Sequence, residues 1–184
     1  GRYRQAKQLR VTLQRRDRAH LEKLRSSLQS GHPIKDLISH LRGKDFPSSG
    51  LIITSKKLCT ALLDKGWEQF KRHGSIDILD YVPQLWIKDL IRGLIDGDGC
   101  LAIYKGRPVL VFSAQSKPLV EMIRDYLSLT VSVYYRELGH LWGIQTKCRP
   151  ASRAISSLYR DSSVFLDRKM EIASRITRLA DPHP

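Results

Sequence analysis

The sequence predicts an α+β protein in which a β-β-α-β-β-α unit occurs twice, as a pseudo-twofold repeat. Segments with apolar residues at every second position alternate with segments whose apolar residues recur every three or four positions, which is typical of strands and helices in turn. A strand that ends in glutamine and leads into a helix also occurs twice, with Gln14 and Gln115 separated by 101 positions. The 184 residues provide room for two such units, each with a core.

The first half of the repeat is predicted to occupy residues 1–82. It begins with a strand over Gln8–Gln14, in which Leu9, Val11 and Leu13 alternate with polar residues. The other predicted elements are a helix over residues 18–28 capped by Asp17, strands over residues 34–41 and 51–54 around a loop at 43–50, a helix over residues 55–65 and a linker over residues 67–82.

The second half is predicted to occupy residues 83–184. Pro83 opens a helix over residues 83–98, because a proline is favoured at the first helical position and the apolar residues that follow recur at helical spacing. The other predicted elements are strands over residues 101–104 and 109–114, a helix over 117–127, strands over 131–136 and 141–146, and helices over 151–159 and 166–179.

The charge is strongly basic and unevenly distributed. There are 32 lysines and arginines against 18 acidic residues, which gives a net charge of +14, and this excess predicts a polyanionic partner, above all nucleic acid. Half of the excess lies in residues 1–25, whereas residues 76–99 carry more acids than bases. An acidic segment inside a basic chain is what a cation site that faces a polyanion requires.

Several classes of protein are excluded by composition. A hydrophobic content of 41% is too high for a disordered basic tail, and no run of 18 apolar residues or signal peptide is present. The three cysteines are odd in number and far apart, which argues against a disulfide scaffold and a zinc ribbon, and the histidines show no metal-binding spacing. We therefore expect an intracellular protein, cytoplasmic or organellar, with no membrane partner.

The segment I-R-G-L-I-D-G-D-G at residues 91–99 carries the chemistry. Gly93 and Gly97 lie on one face of the predicted helix, where another helix can approach closely. Asp96 and Asp98 stand at the helix end, ahead of Gly99, which is expected to take the left-handed conformation. A carboxylate is disfavoured there unless a cation balances it, and Mg²⁺ prefers one or two carboxylates together with phosphates and water. An EF-hand loop does not fit the residues that follow.

Residues 91–99 resemble the signature of the LAGLIDADG homing endonuclease family, with Ile, Arg and Gly in place of its first Leu, first Ala and second Ala. The resemblance implies two packed motif helices at the centre, which makes Gly93 and Gly97 the helix interface. It also implies two saddle-shaped antiparallel sheets in the DNA major groove, with helices on their outer face. Asp98 would bind Mg²⁺ or Mn²⁺ at the scissile phosphates, with the Gly97 carbonyl beside it.

The resemblance implies further catalytic residues. The family's active-site glutamine corresponds to Gln115 and, in the first half, to Gln14. Its basic residue corresponds to Lys169 and, by analogy, to Lys71, although Lys169 reads equally well as an exposed lysine of a helix. The function implied is site-specific cleavage of double-stranded DNA by metal-dependent hydrolysis.

Polar residues on the predicted strands are candidates for contact with bases or phosphates. In the first half they are Arg10 and Thr12; in the second half they are Tyr104, Lys105, Arg107, Tyr134, Arg136, Gln145 and Lys147.

The repeat places a first acidic motif before residue 1, where the sequence does not extend. We expect the missing helix in one of three places: in an N-terminal segment removed from the chain, on a second chain, or in a dimer that packs through Gly93 and Gly97. Gly1 favours the first of these. The fourth alternative is that the helix has been lost. The alternative function is a non-cleaving nucleic-acid-binding protein of the same fold, either an intron RNA maturase or a DNA-binding regulator. A basic ribosome-associated protein is a third possibility.

Overall fold

The computed structural model describes residues 8–41, 43–65 and 81–180. The chain divides into two compact units, Gly1–Asp64 and Lys65–Pro184. The sequence places the boundary between its two halves at residues 82 and 83. That boundary stays a prediction, because residues 67–80 of the predicted linker lie outside the described residues.

The first unit is a three-stranded antiparallel sheet with helices on one face. Its strands follow the order β1-β3-β2, and its buried core consists of Leu21, Ile34, Leu51 and Ile53. The alternating apolar residues of β1 pack against this core, as their spacing predicts. The elements are β1 Gln8–Gln14, a 3-10 turn Arg15–Asp17, α1 Arg18–Ser27, β2 Ile34–Leu41, β3 Lys44–Thr54 and α2 Lys56–Asp64.

The loop expected at residues 43–50 is wrong, because residues 44–50 form the first part of β3 and pair with β2 from Lys44 onward. The Pro-Ser-Ser-Gly composition indicates a loop, but cross-strand hydrogen bonds satisfy its hydroxyl groups inside the sheet. The Ser49 hydroxyl donates to Asp36 Oδ1 over 2.8 Å, and the hydroxyl oxygens of Ser48 and Ser39 lie 2.8 Å apart. Asp17 occupies the N-cap position of α1 without making the expected side-chain capping bond.

The second unit packs its helices on one face of a four-stranded antiparallel sheet, in the order β4-β5-β7-β6. Fully buried side chains of α3, β5, α5 and α6 form one core, among them Ile91, Phe112, Ile155 and Ile176. The elements are α3 Gln84–Asp98, β4 Cys100–Tyr104, β5 Arg107–Ala114, α4 Lys117–Tyr126, β6 Tyr134–Arg136, β7 Leu141–Lys147, α5 Cys148–Tyr159 and α6 Asp167–Ala180. Apart from β3, the predicted bounds agree with these to within three residues.

The two units share a topology, which confirms the predicted repeat. The order β1-β3-β2 matches β5-β7-β6, and a helix follows the corresponding strands in each. Thr12 pairs with Gly50 in the first unit and Ser113 pairs with Gly143 in the second. Each of these pairs stands two residues before its glutamine, Gln14 or Gln115. Within the described residues of the first unit, α3 and β4 have no counterpart.

Across the described part of the chain, every helix is too short or too polar to cross a bilayer.

Candidate active site and nucleic-acid face

The helix α3 has one buried and one exposed face. Pro83 is its N-cap, and Ile91 and Ile95 are fully buried in the core of the second unit. Gly93 and Gly97 are exposed on the other side. A Cβ atom built on either glycine would meet none of the described atoms within 4 Å. The glycine face therefore has room for another helix, and its role as an interface stays a prediction.

The two acids of the motif occupy different environments. Asp96 is 6% exposed, and its carboxylate accepts hydrogen bonds from Tyr159 Oη at 2.5 Å and from the Leu166 backbone N–H at 3.0 Å. Burial raises the pKa of Tyr159, and the negative charge of Asp96 raises it further. The Tyr159 hydroxyl therefore stays protonated and donates to Asp96, so that Asp96 ties the end of α3 to α5 and to the start of α6.

The contacts of Arg92 explain why an arginine fits within the motif of this chain. Its side chain is 3% exposed and forms an ion pair with Asp89 on the same helix. The guanidinium also donates to the backbone carbonyls of Val164 at 3.0 Å and Leu158 at 3.3 Å. Arg92 thus fastens α3 to the C-terminal end of α5 and the segment after it, a role that no sequence pattern indicated.

Lys169 is not an exposed helix lysine. Its side chain is 2% exposed, and its ammonium group donates to the carbonyls of Ile95 at 2.5 Å, Asp96 at 2.8 Å and Gly99 at 2.7 Å. Burial lowers its pKa to about 8, against an opposing contribution from the Asp96 carboxylate. Lys169 therefore caps the C-terminal end of α3, where it supports the backbone on both sides of Asp98.

Gly99 follows the helix in an extended conformation, with φ −86° and ψ 167°. The left-handed conformation expected from the sequence is therefore wrong. Glycine is required for another reason: a Cβ atom at this position would lie 2.7 Å from the carbonyl oxygen of Ile95. The close approach lets the chain turn directly from α3 into β4.

Asp98 and Gln115 come together at one cavity. Asp98 is exposed, and its carboxylate makes no hydrogen bond or ion pair with any described residue. Gln115 follows β5 directly and is held there by Ser116, whose hydroxyl accepts the Leu119 N–H at the start of α4. Both residues, together with Arg136, line a cavity of about 490 Å³. The structure thus unites three predicted site residues.

Six of the predicted DNA-contacting residues share the face of the second sheet that points away from its core, here called the outer face. Directly paired residues of antiparallel strands lie on the same face, and so do residues two apart along a strand. Tyr104 pairs with Arg107, and Lys147 and Gln145 pair with Val109 and Val111 on the same side. The six predicted contact residues, Tyr104, Arg107, Tyr134, Arg136, Gln145 and Lys147, are all exposed on this face. Cys100, which pairs with Val111, is exposed there too, and Lys105 lies in the turn at the end of the face.

Tyr134 is positioned on the outer face by a glycine. A Cβ atom at Gly143 would lie 2.8 Å from Cζ and Oη of Tyr134 and 2.9 Å from Oγ of Ser113. Only glycine leaves room for the ring to lie across β7. The glycine in the middle of the L-W-G-I-Q strand is the sequence signal of this close approach.

In the first unit, Arg10, Thr12 and Gln14 are exposed on the face of β1 that points away from the core. Lys35 lies on that face as well, because it pairs with Gly50, which pairs in turn with Thr12. Sequence reasoning missed Lys35, although its place in the alternation of β2 could have shown it. Lys71 lies outside the described residues.

The oxygen atoms near Asp98 suit a hard cation that takes most of its ligands from water and phosphate. The described residues contain no group of three or more His, Cys, Asp or Glu side chains able to hold a metal. Lys169 occupies the carbonyls of Ile95, Asp96 and Gly99, which leaves the Gly97 carbonyl and the Asp98 carboxylate as oxygen donors. Such a set suits Mg²⁺ or Mn²⁺ completed by water and phosphate, and does not suit zinc.

Similarity to known proteins appears at the level of fold. No protein-family model and no curated protein matches the chain. Among solved structures, the LAGLIDADG homing endonuclease I-GzeII in complex with its DNA target matches with a TM-score of 0.58 and 10% identity, over 95% of this chain and 80% of that one. The LAGLIDADG homing endonuclease I-LtrWI bound to target DNA matches with a TM-score of 0.57 and 12% identity, over 94% and 79%.

The same fold occurs in a protein that is not described as an endonuclease. Full-length DUF199/WhiA from Thermotoga maritima matches with a TM-score of 0.53 and 13% identity, over 96% of this chain and 54% of that one. The chain thus has the α+β fold of LAGLIDADG homing endonucleases, as the motif at residues 91–99 predicts.

Proposed function

We propose, from the fold shared with LAGLIDADG homing endonucleases, that this chain is a site-specific double-stranded DNA endonuclease of the homing type. The observation that carries the proposal is the cavity at which Asp98, Gln115 and Arg136 meet, at the margin of an exposed basic and aromatic sheet face. A carboxylate free to bind a cation stands there beside side chains able to contact a phosphate backbone.

The outer face of the second sheet supplies the recognition surface. Arg107, Arg136 and Lys147 suit phosphate oxygens or the acceptor edge of guanine, and Gln145 suits the major-groove edge of adenine. Arg10 and Thr12 supply the corresponding surface in the first unit. A sheet ribbon fits the width of the B-DNA major groove, so that several base pairs can be read along each face.

The Asp98 carboxylate and the Gly97 carbonyl would hold Mg²⁺ or Mn²⁺. The cation would polarise the scissile phosphate and lower the pKa of bound water. Asp98 is suited to this role because its carboxylate makes no hydrogen bond or ion pair with the described residues, whereas Asp96 is already engaged by Tyr159 and the Leu166 N–H.

The other catalytic residues act by orientation and by charge. The Gln115 amide can accept a hydrogen bond from the attacking water and hold it in line with the scissile bond. Arg136 can stabilise the charge that develops on the phosphate. Lys169 acts through the backbone, because its three carbonyl contacts fix the helix end that carries Asp98.

Cleavage of the opposite strand requires a second set of groups. Gln14 ends β1 as Gln115 follows β5, and we assign it the same water-orienting role. We assign Lys71 the role of Lys169. The second acidic residue would come from an N-terminal segment or a second chain whose motif helix packs against Gly93 and Gly97, where the described structure leaves room.

The proposal is tested by selecting tightly bound duplexes from a randomised DNA pool and incubating them with the protein and Mg²⁺ or Mn²⁺. We expect cutting at a fixed position. Asp98→Asn removes the negative charge with little change in shape and should lower the cleavage rate at least about a hundredfold while leaving duplex affinity within about threefold.

The matched control is Asp161→Asn, which makes the same chemical change at an exposed residue with φ +57°, a conformation that asparagine tolerates well. This variant should cleave like the unmodified chain. If D98N retains full cleavage, Asp98 is not the metal ligand and the proposed mechanism fails.

The alternative is a non-cleaving nucleic-acid-binding protein, and the match to DUF199/WhiA favours it, since that protein is not described as an endonuclease. In the same experiment this alternative predicts tight, salt-sensitive duplex binding and no cutting with either cation. Preference for a structured intron RNA over the selected duplex would identify a maturase.

A further inference from the structure

A groove on the helix side of the second unit carries basic residues of which only Arg107 has a role in the proposed endonuclease. This cavity, here called the basic groove, has a volume of about 1010 Å³ and lies between α5, the β4–β5 turn and α3. Among the described residues that line it, none is acidic or aromatic. Its basic residues are Lys88, Arg107, Arg149, Arg153 and Arg160.

The arginines of α5 and of its C-cap have no counter-charge among the described residues. Arg149, Arg153 and Arg160 are exposed, and their side chains make no hydrogen bond or ion pair with any described residue. By contrast, Arg92 and Arg124 of the same unit are paired with Asp89 and Asp125. The basic groove therefore presents guanidinium groups that an external anion can bind.

The three arginines form one stripe. Arg153 and Arg160 follow Arg149 by four and eleven positions, which places all three within about 40° around the axis of α5 and its C-cap. The stripe is about 16 Å long at 1.5 Å per residue, and a strand of B-form DNA carries about five phosphates over that axial length. Like charges at positions i and i+4 repel each other, and a phosphate backbone would remove that repulsion.

The basic groove lies on the other side of the sheet from the proposed duplex site. Ala151, Ile155 and Leu158 of α5 are buried in the core against the inner face of the sheet, so the stripe and the outer face point in different directions. A duplex on the outer face would have to bend sharply to reach the stripe, and bending a stiff duplex costs free energy. A single strand avoids that cost because it is flexible.

We propose that the basic groove binds the phosphate backbone of a single-stranded nucleic acid while the outer face remains available to duplex DNA. No aromatic side chain is found among the described residues that line the groove, so phosphate contacts dominate and binding is largely independent of sequence and strongly dependent on salt. The inference requires no cleavage activity. Arg107 lines the groove and also lies on the outer face, where the two surfaces border each other.

The test measures the anisotropy of a fluorescent 30-nucleotide oligo-dT bound to the full chain at increasing salt, with and without a saturating unlabelled duplex. The four arginines that line the groove, Arg107, Arg149, Arg153 and Arg160, predict a slope of about −3 in the plot of log affinity against log salt. Lys88 is not counted, because its ammonium group donates to the backbone carbonyl of Arg160. Arg149→Gln with Arg153→Gln should reduce the slope to about −1.4 and weaken binding at least about tenfold.

Two further variants separate charge from fold. R149K with R153K keeps both charges and should restore the slope. R16Q with R175Q removes the same charge from two exposed arginines that line neither the groove nor the active-site cavity, and should leave the slope unchanged. The proposal is overturned if R149Q/R153Q binds oligo-dT with the original slope and affinity, or if the duplex and the oligonucleotide displace each other fully. If oligo-dT binding is lost while cleavage that depends on Asp98 is intact, the groove proposal is supported and the endonuclease proposal still stands.

Discussion

Asp96 and Asp98 are two residues apart and have opposite surroundings. Asp96 points into the unit, where hydrogen bonds from Tyr159 and the Leu166 N–H offset the free energy lost when its carboxylate is buried. Asp98 points out into the cavity that it shares with Gln115. The environment, rather than residue type, therefore separates a structural acid from a candidate metal ligand.

The bond between Tyr159 and Asp96 gives a prediction for stability. Tyr159→Phe deletes the hydroxyl donor and leaves one oxygen of a buried carboxylate without its partner, so the free energy of unfolding should fall by about 1–3 kcal/mol. Urea denaturation monitored by circular dichroism measures the change.

The control for this variant is Tyr126→Phe, which alters an exposed tyrosine of α4 that is 39% accessible. Its unfolding midpoint should match that of the unmodified chain. Equal stability of Y159F and Y126F would contradict the structural role assigned to Asp96.

The lowered pKa of Lys169 predicts that the stability of the fold depends on pH. Its folded-state pKa is about 8, lowered from 10.5 by burial, so the unfolded chain binds the proton more tightly than the folded chain between these values. Stability due to this residue therefore increases as the pH rises through that window. Relative to Lys169→Met, the unmodified chain should gain about 2 kcal/mol between pH 7.5 and pH 10.

Urea denaturation of both proteins at several pH values measures this difference. Subtracting the free energy of unfolding of the variant from that of the unmodified chain cancels the titration of the other lysines and tyrosines. A difference that stays constant across the window would mean that Lys169 keeps an ordinary pKa and that its burial does not disfavour the ammonium ion.

At the scale of the element, α3 is held from three sides and left open on one. Arg92, Asp96 and the carbonyls bound by Lys169 join it to α5, the following segment and α6. The stripe of Gly93 and Gly97 remains uncovered by described residues. Both properties follow from a helical repeat that places polar anchors and glycines on different faces.

Two glycines of this motif should respond oppositely to alanine. Gly99→Ala places a Cβ atom 2.7 Å from the Ile95 carbonyl and should lower the free energy of unfolding by about 1–3 kcal/mol, because the backbone must move. Gly97→Ala lies in open space and should raise it by about 0.5–1 kcal/mol through helix propensity. Thermal unfolding of both variants compares them, and a stabilised G99A would contradict the close approach.

The elements also show how far sequence patterns extend. Alternation placed β1, and helical spacing placed α3 to within one residue, because each has one buried face. The same reasoning missed residues 44–50 of β3, since serine and proline indicate loops unless cross-strand partners satisfy them. The three carbonyl contacts of Lys169 span about 70 residues of sequence, and no local pattern encodes them.

At the scale of the whole molecule, the net charge of +14 is divided among separate surfaces. The outer faces carry Arg10, Lys35, Arg107, Arg136 and Lys147, and the basic groove adds the unpaired arginines of α5. Other cations are neutralised locally, as Arg18 is by Asp36 and Glu22. Excess charge alone indicates a polyanion, and its distribution indicates where the polyanion lies.

Duplex affinity should depend on salt through the outer faces. Replacing Arg136 and Lys147 by glutamine removes two phosphate-binding cations, so the slope of log affinity against log salt should become shallower by about 1.8. Filter binding of a 30-bp duplex at several salt concentrations measures the slope. The double variant R149Q/R153Q serves as the matched control, and an equal effect of both double variants would mean that the outer face has no special role in duplex binding.

The sequence by itself determined the α+β class, the repeated unit, the basic character and the motif at residues 91–99, because these depend on periodicity, composition and local order. The tertiary structure alone decided which acid of the motif is buried, that Lys169 caps α3, and that Gln115 and Arg136 meet Asp98 at one cavity. These features depend on contacts between residues far apart in the chain, and packing selects such contacts only once the whole core has formed.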